Sequence, residues 1–110
     1  MGTPPNPLPF KPPRPFLENR IRAIAADDER ITWGEHAFER SDERDITIDD
    51  ALAILRRGFL DDHIEAGKLP GEWKGKMTMH LKGRREAGVV VIVIKDRELF
   101  VKTVEWENLR

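Results

Sequence analysis

Two patterns of hydrophobic positions divide the chain. Before Gly58 the apolar residues recur with the spacing of helices, and after it they alternate with polar residues as in strands. The period changes from about 3.6 residues to 2. This change predicts helices in the first half of the chain and a sheet in the second.

The first half predicts three helices. They run over about residues 16–26 and 35–44 and from Thr47 to Gly58, and Ile31-Thr32-Trp33 is a short β-prone piece between the first two. Thr47 is a good N-cap for the third helix, with Asp50 placed for a capping box. Gly58 is the expected left-handed stop of that helix.

The second half predicts four strands. They are Phe59–Glu65, Trp73–Lys82, Ala87–Ile94 and Leu99–Glu107. Short polar turns join the last three strands into an antiparallel meander. Since Val89–Ile94 is apolar at every position, it should be a central strand that is partly buried on both faces. The predicted fold is therefore α+β, with about three N-terminal helices packed on a four-stranded, mainly antiparallel sheet.

Proline separates an N-terminal arm from this predicted domain. Residues 1–15 contain all but one of the eight prolines, and proline suits neither a helix interior nor a central strand. We expect a flexible Pro-rich arm over 1–15 and a single domain over 16–110. The arm is either a loose terminus or a polyproline segment that binds a partner.

Composition excludes several kinds of site. The chain has no cysteine, so it has no disulfide, no thiolate nucleophile and no Cys-ligated zinc. The three histidines lack paired metal-ligand spacing, and no apolar run is long enough to span a bilayer. We therefore expect no metal, no cofactor and no membrane partner, and we interpret the chain as a cytoplasmic bacterial protein.

Charge is unevenly distributed along the chain, although its net value is only −1. Acidic residues dominate positions 42–50, whereas positions 74–85 carry five basic residues. These are Lys74, Lys76, Lys82, Arg84 and Arg85, with no acidic residue among them. A local basic stretch of this kind favours a polyanion partner, and the alternative is an ordinary solvated strand face.

Alternation along the second predicted strand places four polar side chains in one row. Lys76, Thr78, His80 and Lys82 should point away from the helices, opposite Met77 and Met79. On the fourth predicted strand, one face should carry Phe100, Lys102, Val104 and Trp106. Lys102 would then extend the basic row if it lies near His80.

This row suits the cleavage of RNA without a metal. Cleavage needs a proton-transfer group, cations for the phosphate and an acid for the leaving oxygen, and aromatic rings can stack on unpaired bases. The candidates are His80, Lys82 and Arg84 for catalysis, and Lys76, Lys102, Arg85 and Trp106 for RNA binding. The alternatives are an incidental histidine on a solvated face and a Trp106 that seals the core edge between Glu105 and Glu107.

A second candidate lies on the second predicted helix. His36, Arg40 and Arg44 recur at i, i+4 and i+8, so they form a stripe along the helix. The stripe either binds phosphate or fixes the helix to the sheet through ion pairs, and we favour the second interpretation.

The residues of this stripe carry a family resemblance. The segment from His36 to Ile46, which has the form HAxxRxxERxI and is followed by Asp49-Asp50, resembles the signature of the DUF4258 family. Gly71–Lys74, Arg85–Val89 and Lys102–Glu107 are similar to a proteobacterial subgroup of that family. The resemblance covers about residues 20–107, and His36, Arg40 and Arg44 are its signature positions.

The resemblance implies a RelE/MqsR-like domain that acts as the toxin of a type II toxin–antitoxin system. It also implies a cognate antitoxin with a YgiT-type zinc finger and a helix-turn-helix domain as partner. Together with the basic row, it predicts a metal-independent endoribonuclease that acts on mRNA. The alternative is a non-catalytic protein-interaction domain, which does not need the row Lys76, Thr78, His80 and Lys82 to be clustered and solvent-facing.

Overall fold

The fold combines three α-helices with a mixed sheet. The structure, a computed structural model, describes residues 11–81, 83 and 85–107. The helices are α1 (Arg14–Ala25), α2 (Glu35–Arg44) and α3 (Ile48–Arg57). The strands are β1 (Ile31–Trp33), β2 (Phe59–Leu60), β3 (Glu65–Ala66), β4 (Glu72–His80), β5 (Glu86–Ile94) and β6 (Glu98–Trp106). A 3-10 turn, Asp28–Arg30, leads into β1.

The ends of α3 illustrate how local chemistry sets a boundary. The Thr47 hydroxyl accepts from the Asp50 amide, and the Asp50 carboxylate accepts from the Thr47 amide, so the predicted capping box is present. The predicted left-handed stop at Gly58 is wrong, because its φ is −78° and its ψ is −173°. Gly58 instead lies where a Cβ atom would be 2.5 Å from the Ile54 carbonyl oxygen and 2.7 Å from that of Thr78.

The prediction of a four-stranded sheet is wrong. Among the described residues the sheet has six strands, in the order β1-β6-β5-β4-β2, with β3 also paired to β4. The β-prone piece Ile31–Trp33 joins the sheet as an edge strand parallel to β6, so the sheet is mixed rather than antiparallel throughout. The predicted strand Phe59–Glu65 is two short strands. The Asp61 amide still donates to the Lys76 carbonyl oxygen, but residues 61–64 belong to neither strand, and only Ile64 of these four is buried.

The core lies between the helices and one face of the sheet. It contains Ala87, Val89, Val91 and Val93 of β5, which is the central strand, together with the buried faces of α1, α2 and α3. The alternate residues Val90, Ile92 and Ile94 point to the opposite face and remain partly exposed. We call this second face, on which none of the three helices packs, the open face.

A β-bulge in β6 changes which face of the sheet the residues of that strand point to, compared with the prediction. Thr103 pairs with Val90 and Val101 with Val91, so Lys102 is an extra residue without a partner on β5. Phe100 consequently lies on the open face opposite Ile92, whereas Val104 lies in the core opposite Val89. The prediction that Phe100, Lys102, Val104 and Trp106 share one face is wrong for this reason.

None of the helices in the described part of the chain combines the length and the apolar character that crossing a membrane requires.

Candidate functional site

The polar row on β4 has the predicted direction, but its lysine is not free. Lys76, Thr78 and His80 point to the open face, whereas Lys82 and Arg84 lie outside the described residues. The Lys76 ammonium lies 2.8 Å from Glu107 Oε1 and 3.3 Å from Glu105 Oε2. Partial burial acts to lower the pKa of Lys76, but the hydrogen bonds and charges of Glu107 and Glu105 outweigh it and raise that pKa. Lys76 is thus an ion-pair partner of two carboxylates, which argues against a phosphate contact.

Gly88 leaves the space in which Lys76 and Glu107 meet. A Cβ atom at Gly88 would lie 2.6 Å from Glu107 Oε2 and 3.0 Å from Lys76 Cδ, so the two side chains meet across the space that a side chain on β5 would fill. Glu107 Oε2 is buried and accepts no hydrogen bond from any described residue. One ammonium group therefore faces two carboxylates and leaves an excess of negative charge.

The open face as a whole is acidic rather than basic in its described part. Lys74 lies 3.5 Å from Glu65 Oε1, so this second lysine is also paired. By register and alternation, the carboxylates on or beside this face are Glu65, Glu72, Glu86, Glu98, Glu105 and Glu107. The cations are Lys74, Lys76 and the bulge residue Lys102, of which Lys102 is exposed and makes no ion pair with a described residue. This balance disfavours a polyanion on the open face.

The centre of the open face is apolar. Ile92 pairs directly with Phe100 across β5 and β6, and Val90 and Ile94 flank Ile92 along β5. All four side chains are partly exposed. We call Val90, Ile92, Ile94 and Phe100 the apolar patch. The signal in the sequence is the uninterrupted apolar run Val89–Ile94. The prediction that this strand is at least partly buried on both faces is confirmed, since Val90, Ile92 and Ile94 are only partly exposed.

The end of the β4–β5 hairpin brings together other predicted site residues. His80 is exposed and lies directly opposite Glu86. The Arg85 guanidinium lies 4.0 Å from the centroid of the Trp106 ring, in the arrangement of a cation–π contact. Trp106 donates its indole hydrogen to the Arg44 carbonyl oxygen at 2.7 Å and packs against the core. Arg85 thus covers one face of the ring that was predicted to stack on a base.

The signature stripe on α2 divides into two kinds of contact. Arg44 donates to the Val104 carbonyl oxygen at 2.7 Å and so joins α2 to β6. His36 and Arg40 instead contact Glu39 and Glu43, the carboxylates three residues further along the same helix, and those carboxylates are exposed. The geometry gives Arg44 a structural contact and leaves His36 and Arg40 on the surface.

Glu18 is a buried polar residue that the sequence analysis did not single out. Its Oε2 atom accepts from the Leu60 amide at 2.9 Å and from Arg14 at 2.7 Å, and so links α1 to β2. Burial acts to raise the pKa of Glu18, but those two hydrogen bonds and the charges of Arg22 and Arg14 lower it overall. The signal in the sequence is the i, i+4, i+8 spacing of Arg14, Glu18 and Arg22, which places an arginine one turn before and one turn after the glutamate.

Metal-binding clusters and cavities are two other kinds of site that the described residues could form. No group of three or more His, Asp or Glu side chains there could hold a metal ion. A cavity of about 380 Å³ lies where α2 meets α3. It is lined by Phe38, Ser41, Asp42, Asp45, Ile46 and Thr47.

Comparison with known proteins gave no match to a family model, a curated protein or a solved structure. The resemblance to the DUF4258 family therefore stays a prediction that rests on the residues quoted above.

Proposed function

We propose that this chain is a protein-interaction domain that binds a partner protein through the open face of its sheet. The apolar patch carries the proposal. Removing apolar surface from water is worth about 25 cal/mol per Å², so the surface that these four side chains still expose at the centre of this face favours association. A rim of charged residues around such a patch is typical of a protein interface.

The contacts of the β4 row favour binding over catalysis on this face. An enzyme would need Lys76 and His80 to form a free cationic cluster, but Lys76 is held by Glu105 and Glu107. Thr78 donates to the Phe59 carbonyl oxygen, although the bond is long at 3.5 Å. A non-catalytic binding domain does not require this row to be free.

Site-specific photo-crosslinking tests the proposal. A photoreactive amino acid placed at Ile92 should trap a discrete partner protein in cells that express the full chain. The matched control is the same amino acid at Ala23, an exposed residue on α1 that lies on the helical side of the domain. Equal trapping from both positions, or no trapping from Ile92, would contradict the proposal.

A second candidate function is a metal-independent endoribonuclease toxin of a type II toxin–antitoxin system. One observation favours it: the exposed His80 faces Glu86 at the hairpin end, and Arg85 is next to Glu86 in the chain. A histidine, a carboxylate and a guanidinium are groups that could move protons and stabilise a charged phosphate transition state. In this case the partner on the open face would be the cognate antitoxin.

The growth and the RNA integrity of cells that express the chain distinguish a nuclease from a non-catalytic binding domain. Expression of the wild type without an antitoxin should arrest growth and fragment mRNA, and His80→Ala should abolish both effects. His63→Ala is the matched control, because His63 is also exposed but lies beside Glu65, away from the hairpin end. Normal growth and intact mRNA on expression of the wild type would contradict the nuclease function.

A further inference from the structure

The charges that border the apolar patch indicate what kind of partner segment fits it. At one end of the patch, Ile94 pairs with Glu72 on β4 and with Glu98 on β6, so a carboxylate lies on each side of it. Towards the other end, Gly88 pairs with Glu105, and Glu107 lies over Gly88. The apolar patch is therefore bounded by carboxylates at both ends of the strands.

Two carboxylates of the open face have no partner within the described part of the chain. Glu98 and Glu86 form no ion pair or side-chain hydrogen bond with any described residue, and Glu98 is exposed. These groups favour donors that carry positive charge, since a charge-assisted bond to a carboxylate is the strong kind of hydrogen bond.

The strand geometry gives the distance between the two acidic ends of the open face. Glu98 is opposite Ile94, and Glu86 is eight residues before Ile94 on β5. At about 3.3 Å per residue, the two ends of the open face are roughly 26 Å apart. A segment of about eight extended residues covers that distance.

We propose that the partner contributes a segment with an apolar centre and basic residues, Arg or Lys, at both ends. This inference rests on the proposed function and specifies the partner for the same face. The apolar centre packs on Val90, Ile92, Ile94 and Phe100. The flanking cations pair with Glu98 at one end and with Glu86 at the other. A nucleic acid is the wrong ligand for this face, because its phosphates would meet the same carboxylates.

Selection from a displayed library of random dodecapeptides tests the inference on the full chain. Peptides selected by the wild type should have apolar centres with Arg or Lys on both sides. The best such peptide should bind the double variant Glu86→Gln, Glu98→Gln about tenfold more weakly than the wild type, as expected for loss of hydrogen bonds between charged groups. Raising the salt concentration should weaken its binding to the wild type but have little effect on the variant.

The matched control is the double variant Glu29→Gln, Glu39→Gln, which removes two exposed carboxylates away from the open face. It should bind the peptide as the wild type does. Circular dichroism of both double variants should match the wild type, because none of the four carboxylates is buried in the core.

The outcomes separate the inference from the proposed function. If the wild type selects apolar peptides without basic residues, and Ile92→Lys loses them, the inference is overturned while the binding face stands. If the selected peptides bind wild type and Ile92→Lys equally, both are overturned. Retention of single-stranded RNA by the wild type and its loss in Ile92→Lys would also overturn the inference.

Discussion

Two glycines show how a single residue position is constrained by what surrounds it. At Gly58 a Cβ atom would meet two backbone carbonyl oxygens, which cannot move independently of α3 and β4. At Gly88 it would meet the ends of the Lys76 and Glu107 side chains, which can rotate away. The same substitution should therefore have different consequences at the two positions.

Gly58→Ala should lower the free energy of unfolding by about 1–3 kcal/mol, the usual cost of forcing extra atoms into a packed site. Gly88→Ala should lower it by less than about 1 kcal/mol, because it breaks a partly exposed ion pair and leaves the backbone in place. Urea denaturation of both variants measures the difference. A larger loss for Gly88→Ala would contradict the packing described here.

The sequence predicted the direction of residues on β4 but not their partners. Alternation placed Lys76 and His80 on one face, and that placement is confirmed by the pairing of β4 with β5. The partners Glu105 and Glu107 come from β6, and Glu105 lies 29 residues away from Lys76. The bulge at Lys102 determines which face of the sheet the side chains of Glu105 and Glu107 point to. The local sequence pattern does not predict this bulge.

At the scale of elements, local chemistry predicted helix boundaries better than strand pairing. The second helix and the capping box of α3 are confirmed, because both depend on residues that are close together in the sequence. The attachment of β1 to β6 depends on residues 68 apart, Ile31 and Leu99, and no periodicity encodes it. The short strands β2 and β3 are likewise set by their pairing with β4.

The link between α1 and β2 should be sensitive to acid. The pKa of Glu18 is lowered in the folded state, so its stabilisation is present above the ordinary value of 4.5 and is lost as the pH falls through the lower, folded value. Glu18→Gln should lower the free energy of unfolding at neutral pH by about 1–3 kcal/mol. It should also weaken the dependence of stability on pH below 4.5. Glu29→Gln, on the exposed 3-10 turn, should change neither property in denaturant titrations.

The turn between β5 and β6 contains backbone strain that can be relieved. Lys95 and Asp96 have φ values of 52° and 62°, and the Arg97 amide donates to the Ile94 carbonyl oxygen, as in a type I′ turn. Asn tolerates this conformation better than Lys. Lys95→Asn should therefore raise the free energy of unfolding by about 0.5–1 kcal/mol in urea titrations. The control Lys68→Asn, at an exposed loop residue without positive φ, should have no such effect.

At the scale of the whole molecule, one side of the sheet forms the core, and the other side is the open face that we propose as the binding surface. The predicted α+β class is right in this coarse sense, with three helices on one side, although the strand count is wrong. The candidate nuclease row and the signature stripe lie on separate elements, β4 and α2. The apolar run Val89–Ile94 predicted partial burial of both faces of β5, but it could not show which face the helices cover.

Binding of the trapped partner to a variant of the open face tests the central claim most directly. Isothermal titration calorimetry should give an affinity for Ile92→Lys at least about tenfold weaker than for the wild type, since a charge replaces an apolar group at the centre of the interface. Ala23→Lys adds the same charge on the helical side and should bind as the wild type does. Equal affinities of all three proteins would contradict the assignment of the open face as the binding surface.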